Sequence, residues 1–151
     1  MELPVLNFPQ YEFRFREIKN KTHIFDALRK KYVVLTPEEW VRQHLVQFLI
    51  NEKGYPRGLI KVEATLKIYG KTRRSDVIVF DPEMKPRLVV ECKAPHVPIT
   101  EKTFYQAVTY NAVIKAQYLI VTNGLRHFCC QLDEDGSYRT FLDDIPPYAP
   151  A

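Results

Sequence analysis

Three charged side chains near the middle of the chain have the types and spacing for phosphodiester chemistry. Asp76 lies in Ser75-Asp76-Val77-Ile78-Val79-Phe80, and Glu91 and Lys93 lie in Val89-Val90-Glu91-Cys92-Lys93. Both runs are short and β-branched, which predicts strands. Residues two apart on a strand share a face, so Glu91 and Lys93 point one way while Val90 and Cys92 point the other. Between the runs stands Asp81-Pro82-Glu83-Met84-Lys85-Pro86, a tight-turn composition. A hairpin that sets Asp81 opposite Pro86 carries the register down to Asp76 opposite Glu91, with Cβ atoms ~4.5–5.5 Å apart. A slip of one residue would separate them.

Two carboxylates held together repel. A hard divalent cation, Mg²⁺ or Mn²⁺, relieves that repulsion with oxygen ligands from one or two carboxylates, water and phosphate. Such an ion polarises a phosphodiester and makes hydroxide available at neutral pH, and a lysine two residues along can orient or deprotonate the water. The same letters also fit an inert arrangement, with Asp76 as strand-edge surface and Glu91 and Lys93 as an exposed ion pair.

The elements that must position these groups are legible nearby. Thr36-Pro37-Glu38-Glu39 opens a helix, with Thr36 as N-cap, Pro37 at the first helical position and Glu39 in the capping-box place. Val41, Leu45, Phe48 and Leu49 give it an apolar stripe, and it ends near Lys53-Gly54. Leu59 to Tyr69, Ser75 to Phe80 and Leu88 to Lys93 are strand-like. A second helix is expected from about Glu101 to Lys115, then a buried strand from Tyr118 to Thr122 ended by Asn123-Gly124. His127 to Leu132 and Tyr138 to Leu142 form a hairpin around Asp133-Glu134-Asp135-Gly136. Tyr11 to Ile18 suits a strand, and Asp26 to Val34 is ambiguous. Helices and strands in this order predict an α/β (α+β) fold, a central mixed β-sheet flanked by helices.

This pattern resembles the PD-(D/E)XK nuclease superfamily and, within it, the N-terminal nuclease domain of type I restriction enzyme restriction subunits. The matches are Asp76, Glu91 with Lys93, and Gln106 with Tyr110, four apart on the second helix and so on one face. Glu38, four before Arg42, fits the glutamate that the family carries on its first helix. Glu39 is the competing choice. It has capping work available and, at ~100° per residue, lies off the Val41–Leu45 side that Glu38 shares, so Glu38 is expected at the site. Leu119-Ile120-Val121-Thr122-Asn123-Gly124 also looks like that family. Ser75 stands where the nominal motif has proline, a departure that type I relatives tolerate. The resemblance implies a restriction-endonuclease-like core and metal-dependent hydrolysis of nucleic acid, DNA first. Asp76, Glu91 and Glu38 would hold Mg²⁺ or Mn²⁺, Lys93 would act on water, and Gln106 and Tyr110 would support the lysine or the substrate backbone. It also implies partners among restriction-system subunits or a separate motor protein, since the sequence has no Gly-x-x-x-x-Gly-Lys loop for ATP. Without its chemistry the same fold would be a binding module for nucleic acid or for a restriction or defence protein.

Of 151 residues, 46% are apolar and 26% charged, which suits one domain and excludes a disordered chain. A core at about 32–145, an N-terminal extension at 1–31 and a tail at 146–151 are expected. The net charge is +4, unevenly spread: Lys53 to Arg74 holds seven basic residues against Glu63 alone, a local +6. Lys67, Lys71, Arg73 and Arg74 lead directly into Asp76 and suit phosphates; a solvated strand face explains them equally. No apolar run approaches the ~18–20 residues of a membrane span, and MELPVLNFPQYEF has no leader-like pattern. Three cysteines, two of them adjacent (Cys129 and Cys130), make a poor disulfide framework, so a reducing cytoplasm is expected. Cys92, Cys129 and Cys130 with His44, His96 and His127 lack zinc spacing.

Overall fold

Val77, Ile78 and Val79 are fully buried in succession, which a strand allows only when both faces of its sheet are covered. The structure is a computed structural model and describes residues 3–148. In chain order the described elements are β1 (Phe15–Ile18), β2 (Lys21–Asp26), β3 (Lys31–Val34), α1 (Pro37–Asn51), a 3₁₀ turn (Arg57–Leu59), β4 (Ile60–Ile68), β5 (Lys71–Phe80), β6 (Pro86–Cys92), α2 (Glu101–Asn111), β7 (Tyr118–Thr122), β8 (His127–Leu132) and β9 (Tyr138–Leu142).

Strands β4 to β9 form one six-stranded mixed sheet in sequential order. Its neighbours are antiparallel except β6 and β7, which run parallel with α2 in the crossover between them. Alternation sorts the core into two layers. Val77, Val79, Val90 and Cys92 pack with Val41, Leu45 and Leu49 of α1. Ile78, Val89, Leu119 and Val121 pack with Ala107 of α2 and with Ile114.

Thr36 caps α1 as expected, its Oγ accepting the Glu39 N–H at 3.0 Å. α2 is shorter than its periodicity suggests. Asn111 turns its side-chain amide back onto the Ala107 carbonyl at 2.8 Å, and the Ile114 N–H closes a turn on the Asn111 carbonyl. Asparagine competes with helix geometry in this way, so the helix stops at Asn111 rather than near Lys115.

The described part of the expected extension at 1–31 is built into the fold, and residues 1–2 lie outside the described residues. Lys19 and Asn20, both at positive φ (50° and 63°), make a two-residue turn between β1 and β2. Strands β1, β2 and β3 form a second, antiparallel sheet. Ile24 on it is fully buried, and Phe15 meets Trp40 of α1 with ring centroids 6.3 Å apart. The expected tail is likewise docked as far as Tyr148. Tyr148 stands 5.5 Å from the Tyr55 ring, and its carbonyl accepts from Arg87 at 2.7 Å. Residues 149–151 lie outside the described residues. At Gly124, φ is +84° and an added Cβ would lie 2.8 Å from Leu6 Cδ2, so only glycine suits this turn after β7. Among the described residues no helix is long and apolar enough to cross a membrane.

Candidate active site

The β5–β6 ladder pairs Val77 with Val90, Ile78 with Val89 and Val79 with Leu88. One step further this register sets Asp76 opposite Glu91. The turn end differs from expectation: Phe80, not Asp81, pairs with Pro86, and a bulge between Val79 and Phe80 absorbs the offset. Asp81 instead caps the turn, its Oδ1 accepting the N–H groups of Glu83 and Lys85.

Beyond Val77–Val90 the backbone ladder stops. The Cys92 N–H, which would meet a carbonyl of β5, donates to Asp76 Oδ2 at 2.7 Å. On the other side of β5, Glu63 faces Asp76 in the β4 register but drops out of the ladder, with φ at +49°. Glu63, Asp76 and Glu91 therefore occupy one row across three strands where the strands part. They line an open pocket of about 280 Å³ together with Arg74 and Ser75. Larger hollows of about 450 and 720 Å³ lie along β8 and β9. The smaller pocket is the candidate site because it gathers carboxylates from three strands.

A buried ionic network braces the row. Arg42 of α1 donates from Nη2 to Asp76 Oδ1 at 3.1 Å and from Nη1 to Glu39 Oε1 at 2.7 Å, and its Nη1 lies 3.4 Å from Glu63 Oε1. Arg29, from the β2–β3 turn, reaches Asp26 at 2.7 Å, Glu39 at 2.8 Å and Glu63 at 3.5 Å. Gln43 completes it, its amide donating to Asp26 and Glu39 at 3.0 and 3.1 Å. Burial alone would lower the Arg42 pKa, but the charges of Glu39 and Asp76 raise it.

Glu38 does not reach this site. Its side chain is exposed, and Glu39 is the buried helix acid. The capping-box place of Glu39 does not hold its carboxylate, because two guanidiniums draw it inward. The β1–β2–β3 sheet lies over that side of α1 and supplies Arg29. Helical angle alone cannot show which side a second sheet covers.

Burial pushes the Glu91 carboxyl above its ordinary pKa; the Lys93 charge opposes the rise and the Asp76 charge adds to it. Lys93 is held by its backbone, its N–H donating to the Thr122 carbonyl at 2.8 Å. Tyr110 leans on β5: its hydroxyl accepts the Arg74 N–H at 3.0 Å, and the Arg73 guanidinium lies 4.9 Å from its ring centre. Gln106, one turn earlier, is exposed and makes no side-chain hydrogen bond among the described residues. Cys92 is buried, and burial first, then the Asp76 charge, pushes its thiol well above the usual range, so it stays protonated at neutral pH.

Among the described residues no three His, Cys, Asp or Glu side chains form a metal cage. Asp76 and Glu91 are a two-carboxylate set. That fits Mg²⁺, which takes one or two carboxylates and fills its other positions with water and phosphate oxygens.

Comparisons with known proteins bear on the family and the fold. The family model described as type I restriction enzyme R protein N terminus (HSDR_N) matches residues 37–146. A solved fragment of a protein described as an HsdR subunit of a type I restriction enzyme from Vibrio vulnificus is 21% identical with a TM-score of 0.53, covering 75% of this chain and 24% of that one. The chain thus spans about a quarter of that relative's length. A protein described as a nuclease belonging to DUF820 from Anabaena variabilis is 12% identical with a TM-score of 0.49, covering 98% of this chain and 89% of that one. No curated protein matches.

Proposed function

Since the chain belongs to the family of type I restriction enzyme R protein N termini, we propose that it is a nuclease domain that hydrolyses DNA phosphodiesters in the Asp76–Glu91 pocket with Mg²⁺ or Mn²⁺. The observation that carries this reading is the row Glu63–Asp76–Glu91, opened to solvent where β5 and β6 separate.

A bound cation would supply Lewis-acid polarisation of the scissile phosphate. Asp76 and Glu91 would hold it. Lys93, beside Glu91, orients or deprotonates the attacking water and offsets charge on the transition state. Arg42 and Glu39 act as positioning residues that set the Asp76 carboxylate. Arg74, exposed at the pocket wall, binds a flanking phosphate. Tyr110 fixes the β5 backbone at Arg74 and so aims that arginine. Gln106 stands one turn before Tyr110, free to meet the substrate backbone.

A second reading, a nuclease-fold module that binds nucleic acid without cutting, is favoured by one observation: both Asp76 oxygens are already engaged, by Arg42 and by the Cys92 N–H. Incubation of plasmid and single-stranded DNA with Mg²⁺ or with chelator separates the two. Metal-dependent cutting supports the enzyme; binding without cutting supports the module.

A further inference from the structure

The β1–β2–β3 sheet has two unlike faces. Its register pairs Phe15 with Ile24 and Ile24 with Val33 on the inner face, toward Trp40 of α1. The outer face carries Arg14, Arg16, Ile18, Lys21, His23, Phe25, Tyr32 and Val34. Three of these are permanent cations, none is an acid, and Arg14, Arg16 and Lys21 are exposed. Lys19 and Lys30 add exposed cations at the turns.

The two arginines are held rather than loose. The Arg14 guanidinium lies 4.4 Å from the centre of the Phe25 ring, and that of Arg16 lies 4.4 Å from the centre of the Tyr32 ring. The two rings meet edge to face at 5.2 Å. A guanidinium laid on an aromatic face keeps its N–H edge free for a bidentate acceptor and loses less freedom on binding. Residues two apart on a strand stand about 6.8 Å apart, close to the spacing of successive phosphates along a nucleic-acid strand. The sheet abuts the candidate site at one end, where Arg29 in the β2–β3 turn reaches Glu63 in the pocket wall at 3.5 Å.

We propose that this outer face is a docking surface for the nucleic-acid backbone, with Arg14 and Arg16 each holding a phosphate of DNA whose neighbouring segment enters the Asp76–Glu91 pocket. The choice of DNA rests on the nuclease reading; the surface itself lies outside the family-matched residues 37–146. Contacts of this kind position the substrate and read no sequence.

The test is fluorescence anisotropy with a short labelled duplex of arbitrary sequence, in chelator so that nothing is cut, across a salt series. In Arg14→Gln/Arg16→Gln, binding at low salt is expected to weaken roughly tenfold or more, and the slope of log K against log salt to fall by about one per arginine. Arg14→Lys/Arg16→Lys keeps the charge and is expected to keep most of the slope, and circular dichroism checks that both variants are folded. An unchanged slope and affinity in the glutamine variant overturns the proposal even if the chain cuts DNA; so does capture of phosphatidylglycerol vesicles through these arginines while DNA binding is unaffected. A lowered slope upholds it even in a chain that cuts nothing.

Discussion

Arg42 Nη2 donates to Asp76 Oδ1 at 3.1 Å, tying the buried face of α1 to the strand that carries the candidate metal ligand. The same guanidinium holds Glu39 at 2.7 Å, so helix and strand meet at one cation, and Arg29 of the β2–β3 turn joins them through Glu39 at 2.8 Å. Without a divalent ion, Arg42 is the counter-charge that lets these carboxylates sit together.

Arg42→Ala therefore leaves buried Glu39 with only Arg29 and Gln43, and Asp76 with only the Cys92 N–H. The loss is expected to stay below the about 3–5 kcal/mol of a fully stranded buried charge, and for a domain of this size to lower the melting temperature by several degrees. A double-mutant cycle with Glu39→Gln checks the cause. The double variant is expected to lose less than the sum of the single losses, since removing both charges leaves neither stranded.

The two adjacent helix acids separate cleanly. Glu38→Ala alters an exposed side chain and is expected to change stability by less than about 0.5 kcal/mol and to leave cleavage unchanged. Glu39→Gln breaks the contacts to Arg29 and Arg42 and is expected to lower both melting temperature and cleavage. Thermal melts and plasmid assays on the two variants read this directly.

Much of this was written in the sequence, and what was hidden was hidden for a physical reason. The strands Tyr118–Thr122, His127–Leu132 and Tyr138–Leu142 are bounded by turn residues and appear where the pattern puts them. The pairing of Asp76 with Glu91 follows from β-branched runs around a short turn, and the bulge at Val79/Phe80 shifts only the turn end. Glu63 was visible as the lone acid in a basic stretch, but its place in the row depends on the β4–β5 register, which no local signal marks. Glu39 and Arg29 were missed together. Residues 15–34 are short, polar strands whose single fully buried aliphatic residue, Ile24, gives little periodicity, so the sheet that draws Glu39 inward was not legible.

Acid should weaken the fold well above the carboxylate range. Burial lowers the pKa of His44 and of His127 from 6.5. His127 Nε2 faces the Asn7 carbonyl and its Nδ1 faces the Thr122 hydroxyl, which itself accepts the Gly124 N–H. The proton of the neutral ring therefore sits on Nε2. Because the folded values are depressed, the unfolded chain binds more protons just below pH 6.5, and stability is lost as pH falls from there through the folded values. Asp26 adds a second loss at lower pH. Its burial would raise the pKa, but the backbone N–H and guanidinium of Arg29 and the amide of Gln43 hold it below 3.8. Melting temperature is expected to decline from pH 7 to 5.5, and to decline less in His44→Gln/His127→Asn.

Mg²⁺ or Mn²⁺ should stabilise the fold by binding it alone. At a hundredfold excess over Kd the gain is ~2.7 kcal/mol, several degrees in melting temperature. Glu91→Gln is expected to remove most of that rise and to raise the metal-free melting temperature slightly, since a neutral amide ends the repulsion from Asp76. A rise that persists undiminished in Glu91→Gln places the ion elsewhere.

The central claim is that the Asp76–Glu91 pocket cuts DNA with Lys93 acting on water. Its most direct test is the cleavage rate of wild type and Lys93→Ala across a Mg²⁺ titration, with the metal-induced melting shift measured on the same samples. Cleavage is expected to require the metal and to fall about 10²–10⁴-fold in Lys93→Ala, with a melting shift that survives the substitution. No metal-dependent cleavage in the wild type, or cleavage undiminished in Lys93→Ala, would contradict it.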